Sequence, residues 1–147
     1  MITYNTVVGD IKHFCDQHLQ IAQFLHISTW DEEARNNVYV TAILVPQQSI
    51  INGNSISLNF NLFIVDLLNY DGSNKREVYS DTLEIVRDFL AYFTGSPCID
   101  WSVGDNTTVT PINEIFEDEI LAGWVLNFSV DMPFSMSQCN IPLSDLT

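Results

Sequence analysis

The sequence predicts an α+β fold, an antiparallel β-sheet with helices packed on one face, in the order α-β-β-α-β-β with room for one more strand. Three observations predict it. An apolar stripe at helical spacing opens the chain, an Asn-Gly pair separates two strand-like runs, and a second helical stripe is followed by a strictly alternating run. The 147 residues suit a single domain, expected over 1–147.

The first helix is expected from about Tyr4 to Leu25. Val8, Ile11, Cys15, Leu19 and Ala22 recur at steps of three and four, and Phe14, Ile21 and Leu25 widen the stripe. Lys12 and Asp16 stand one turn apart as a surface pair. The segment Ser28–Asn37 is polar and acid-rich and reads as a loop.

Asn52-Gly53 lies between the two strand-like runs, and a type I′ turn favours this pair because both central residues need positive φ. A two-residue turn there makes Ile51 face Asn54. Val45 then faces Phe60, Ile43 faces Leu62 and Thr41 faces Ile64, while Val40 meets Val65 and Val38 meets Leu67. The base of the hairpin is thus apolar on both faces. Its outer half is mostly polar, and Pro46, which lacks a ladder donor, marks an edge or a bulge. A second strand from Ser55 to Leu68 would run roughly 45 Å at about 3.3 Å per residue. These features predict a hairpin arm around 46–58 that leaves the domain. Gln47, Gln48, Ile50, Ile51, Asn52, Gly53, Ile56 and Leu58 are its candidate intersubunit residues.

After the turn Asn69–Lys75, Asn74 and Glu77 have the spacing of an N-cap and its capping-box partner. The helix they open should run to about Phe93, burying Val78, Thr82, Ile85, Phe89 and Phe93 and ending at Gly95 and Pro97. Two short strands are expected at Cys98–Val103 and Thr107–Ile112. The alternation of Trp124, Leu126, Phe128, Val130 and Met132 with Val125, Asn127, Ser129 and Asp131 then gives a half-buried strand ended by Pro133. A polar C-terminal tail occupies 135–147.

The charge pattern narrows the function classes. Five Lys+Arg stand against 19 Asp+Glu, a net charge of −14, and no cation follows Arg87. Such a chain repels phosphate, which argues against a groove-reading nucleic-acid binder. No apolar run reaches the roughly 20 residues of a membrane helix, and no secretory signal opens the chain. Cys15, Cys98 and Cys139 are widely spaced and read as reduced thiols.

Motifs of catalysis are missing from the sequence: GxSxG, HExxH, GxxxxGK[ST] and GxGxxG do not occur. His13 and His18 are five apart, about 140° around a helix, so they do not form a metal pair on one face. Glu114, Glu117, Asp118 and Glu119 form an acidic cluster that reads as a solvated or channel-facing surface rather than a cation site. No enzymatic activity and no cofactor are expected. Two other readings are an acidic decoy that inhibits a nucleic-acid-binding protein, and an enzyme or small-ligand binder with a pocket under the sheet lined by Trp101, Trp124 and phenylalanines.

Three segments carry a family resemblance: Leu58–Asp66 running through the turn into Asn74–Leu83, Ile120–Phe134, and the ending Cys139-Asn140-Ile141-Pro142. In these the chain resembles the tail-terminator and head–tail connector ring proteins of tailed bacteriophages. The likeness is nearest to the small neck proteins of phages of Bacteroidales, including crAss-like phages. The resemblance implies a structural virion protein of the neck, a ring of six or twelve copies assembled in the host bacterial cytoplasm. Its implied partners are other copies of itself, a portal or adaptor ring and tail proteins, with DNA passing unbound and no membrane involved. A ring requires head-to-tail contacts, which a protruding hairpin would supply. A channel wall of acids without cations would leave DNA free to move.

Overall fold

A computed structural model describes residues 2–26, 39–95, 99–116 and 119–133. The elements are α1 (Tyr4–Gln17), β1 (Gln23–His26), β2 (Thr41–Pro46), β3 (Ile50–Asn52), β4 (Ser55–Leu67), α2 (Lys75–Phe93), β5 (Thr108–Phe116) and β6 (Glu119–Pro133). They build a mixed α+β fold with a six-stranded sheet ordered β1-β2-β4-β6-β5, in which β3 pairs with β4. The expected order α-β-β-α-β-β therefore lacks β1 and treats β2 and β3 as one strand.

The first helix is shorter than its stripe predicts. Thr3 caps it, accepting a hydrogen bond from the Thr6 N–H at 3.0 Å, and Val7, Ile11 and Cys15 are buried. At His18 the backbone turns extended, so the helix ends at Gln17. The Ala22 N–H then donates to the Val40 carbonyl at 2.8 Å, and β1 pairs with β2 in parallel, from Gln23↔Thr41 to His26↔Leu44. Leu19, expected in the stripe, is fully exposed, whereas Ile21 is buried. Pairing with a strand distant in sequence overrides the local helical period.

The second helix matches its pattern closely. Val78, Thr82, Ile85, Val86, Phe89 and Phe93 are all buried. The expected capping box does not form, because the Asn74 side chain makes no cap bond. Its amide instead ties down the preceding turn, accepting from the Asn69 N–H at 2.8 Å and donating to the Leu67 carbonyl at 3.3 Å. Asp71 accepts from the Ser73 N–H in the same turn, and this bond holds its carboxyl below the ordinary range.

Of the strand expected at 98–103, only Val103 takes part in the sheet, as an isolated bridge to Val130; Cys98 lies outside the described residues. Trp101 leaves the sheet to stack on Phe93, with ring centroids 4.6 Å apart, and its indole N–H donates to Asp10 at 2.9 Å. The next strand, β5, starts one residue later than expected and extends to Phe116.

Both helices lie on one face. Val7, Ile11 and Cys15 of α1 and Ile85, Val86, Phe89 and Phe93 of α2 share a core with Ala42, Leu44, Leu58, Phe60, Leu62, Ile64, Leu126, Phe128 and Val130. The other face carries a second cluster, Ile43, Val45, Val65 and Leu121, to which neither helix contributes. The sheet base is accordingly apolar on both sides. At Gly123 the packing reaches backbone against backbone: a Cβ there would sit 1.9 Å from the Ile64 carbonyl oxygen, so no larger residue fits without displacing β4.

Candidate assembly surface

The residues expected to form an arm occupy the far end of this sheet, and two features differ from expectation. The turn residues are Gly53-Asn54 rather than Asn52-Gly53, because Asn52 pairs with Ser55, Ile51 with Ile56 and Ile50 with Ser57. Gly53 supplies the positive φ, 62°, that such a turn demands. Closer to the base, Pro46 pairs with Phe60, Val45 with Asn61, Ile43 with Phe63 and Thr41 with Val65. The expected pairs Val45–Phe60, Ile43–Leu62 and Thr41–Ile64 are thus displaced by one residue. Three residues, Gln47 to Ser49, oppose only Leu58 and Asn59, which makes a one-residue bulge directly after Pro46.

The second difference concerns the arm itself. β4 does not leave the domain as a two-stranded ribbon. It pairs with β6 along its whole length, from Ser55↔Pro133 to Leu67↔Leu121. The physical reason is length: β6 is long enough to satisfy one entire edge of β4, and an unpaired edge would waste those hydrogen bonds. Leu58 is consequently buried and Ile56 half-buried against the main core. What projects is the short strand β3 and its turn.

That tip is exposed and apolar in part. Gln47, Gln48, Asn52 and Gly53 are exposed, and Ile50 and Ile51 retain 64% and 61% of their surface. The register puts Ile51, Ile56 and Met132 in one cross-strand row on the helix side of the sheet. Ile50, Ser57 and Asp131 form the neighbouring row on the opposite side. Met132, expected only as the end of the alternating half-buried strand, joins this row and is partly buried. The alternation ending at Met132 carried the signal, but its alignment with Ile56 did not. Beyond the tip the opposite face is neutral and polar. Asn127 donates to Asn61 at 2.8 Å, and a hollow of about 190 Å³ is lined by Ile50, Ser57, Asn59, Asn106, Asn127 and Ser129. No charged residue occurs anywhere from Asn36 to Val65.

The candidate acidic cluster falls at the β5–β6 hairpin. Glu114 pairs in register with Leu121 near the end of β5, and Glu119 opens β6, exposed and accepting a hydrogen bond from the Tyr39 hydroxyl at 2.8 Å. Glu117 and Asp118 lie outside the described residues.

Two histidines and a cysteine hold elements of the fold together. His18 pairs with Asp88 at 2.9 Å and joins α1 to α2, while His26 bonds the Tyr4 hydroxyl at 2.8 Å. The histidines do not converge, and no group of three metal-ligating side chains occurs among the described residues. Burial pushes the Cys15 thiol up to about 12, which suppresses the nucleophilic thiolate. Trp124 donates to the Tyr79 carbonyl at 2.9 Å, and Trp101 is buried in the main core. A hollow of about 750 Å³, open to solvent, lies beside Gly72, Ser73, Lys75, Arg76, Glu77 and Tyr79. No helix among the described residues is long and apolar enough to cross a membrane. Comparison with known proteins yields no family model that matches the chain and no match among the curated proteins.

Proposed function

We propose that this chain is a structural subunit of a tailed-bacteriophage neck. Six or twelve copies would form a ring between portal and tail, and DNA would pass through it without specific binding. The observation that carries the reading is the neutral tip, where Ile50 and Ile51 stay exposed on a chain of net charge −14. On the helix side Ile51 continues the row of Ile56 and Met132, and this apolar row at the uncharged tip supports a surface that another protein covers. Two of the three segments of family likeness coincide with the long central strands, β4 with its turn into α2, and β6. The third, Cys139 to Pro142, lies outside the described residues.

An acid-rich, cation-free remainder after Arg87 suits a channel border, because each phosphate contact would add salt-dependent affinity. The virion neck is the site of action under this reading. Mass photometry and negative-stain microscopy of the purified protein, alone and with the portal and tail proteins of the same phage, test it. Annular particles are the expected result. Monomers only, in every mixture, would refute it.

A further inference from the structure

We infer that the outer edge of β3 is a strand-addition site whose occupant is an edge strand of a second copy of this chain. The inference rests on the neck-ring reading and specifies the contact that joins the copies.

In an antiparallel pair, residues that exchange hydrogen bonds alternate with residues whose backbone groups point away. Asn52↔Ser55 closes the two-residue turn as a bonded pair, so at Ile51↔Ile56 the Ile51 N–H and C=O point outward. β6 satisfies the outward groups of Ile56 on the far side of β4. Among the described residues, no strand lies on the outer side of β3.

Natural edges are usually protected against pairing by charge, proline or burial. β5, the edge on the opposite side of the sheet, has Pro111 near its middle and acids at its hairpin end. β3 lacks all three of these: Ile50, Ile51 and Asn52 are uncharged, contain no proline and are exposed. Its only protections are its three-residue length and the bulge before it. Pro46 stands before the bulge, so it does not take the place of the outward Ile51 N–H.

Charge selects the occupant. Two copies of a chain carrying −14 repel wherever their acidic surfaces approach within a Debye length, about 8 Å at physiological salt. The stretch Asn36–Val65 is free of charge, and Asp131 in the Ile50–Ser57 row lies two strands in from the β3 edge, so approach along that edge reduces this cost. A basic partner would gain its affinity at the acidic surfaces and has no reason to seek this one. In the pairing, Ile51 and Ile50 would each cover apolar surface on one side of the extended sheet.

The test combines sedimentation velocity up to millimolar protein with hydrogen exchange resolved at the Ile51 amide. The wild-type chain should associate, and association should slow exchange at Ile51. Ile51→Val should retain association, whereas Ile51→Pro should weaken it roughly ten-fold or more, since it removes an outward donor and leaves the partner carbonyl unpaired. Slow exchange in β4 of the Ile51→Pro chain verifies its fold, and if that variant does not fold, exchange in the wild-type chain decides alone. A chain that stays monomeric at millimolar concentration, or associates while Ile51 exchanges freely, overturns the inference. Rings with a freely exchanging Ile51 amide would leave the neck-ring reading standing. Closed dimers protected at Ile51, with no annular particles beside portal or tail proteins, would refute that reading and keep the strand-addition site.

Discussion

The two halves of β4 use one strand in opposite ways. From Phe60 to Val65 it is flanked by β2 and β6, and it contributes Phe60, Leu62 and Ile64 to one core and Val65 to the other. From Ser55 to Asn59 it keeps β6 on one side but has only three-residue β3 and the bulge on the other. Burial declines along the strand from complete at Phe60 to partial at Ile56, and the opposing Ile51 is largely bare. Beyond Leu58, the last buried side chain toward the tip, backbone pairing increasingly takes over from the apolar burial that anchors the first half. A sheet can therefore extend past its core provided a long neighbour continues beside it.

This contrast has measurable consequences. The largest belongs to the base. Phe60 touches Tyr4 and Phe128 at ring-centroid distances of 5.9 and 5.5 Å, and Phe60→Ala should cost about 3–5 kcal/mol in urea unfolding. A loss below about 1 kcal/mol would mean that β4 is no better anchored at Phe60 than at Ile56. Gly123→Ala comes next, at about 3 kcal/mol, because the added methyl meets the Ile64 carbonyl on an adjacent strand. The same denaturation series measures it.

A pH series probes the core through Cys15. Its folded thiol titrates near 12 against an ordinary value of 9.0, burial being the leading cause. Between these values the unfolded chain has lost the proton and the folded chain has kept it, so stability falls as pH rises through that window. Below about pH 9 this group contributes no slope. Cys15→Ala should remove its share of the alkaline loss, which stability curves from pH 8 to 11 would detect.

The smallest effect is expected at the tip. Ile50→Ser and Ile51→Ser should leave monomer stability within about 0.5 kcal/mol, since exposed positions contribute little to folding. A loss comparable to Phe60→Ala would erase the distinction between the two halves.

Legibility in the sequence followed the range of the interactions. The buried face of α2 was readable almost residue by residue, because a helix makes its own hydrogen bonds and its stripe needs only one partner surface. The alternation of β6 was equally plain, with Leu126, Phe128 and Val130 all buried. The end of α1 was not readable: Leu19 and Ala22 keep the helical spacing, and only the pairing of β1 with β2 shows that the helix has stopped. Tip residues were picked out by polarity and by Pro46. Two facts decide how they are presented, the partnership of β6 with β4 and the one-residue bulge, and both depend on contacts distant in sequence. The pair Asn-Gly located the turn to within one residue, since Gly53-Asn54 uses the same glycine.

The bulge between Pro46 and Ile50 has a consequence of its own. Even-numbered residues of β2, Ala42 and Leu44, point toward the helices, yet in β3 the odd-numbered Ile51 takes that side. The extra residue acts as a phase shifter, so the parity of the tip is set independently of the parity of the base. Changes in length here can rotate the end of the ribbon or swap which isoleucine looks up, without dragging Thr41–Val45 out of step with β4. The interior alignment is thereby insulated from every such adjustment at the outermost residues.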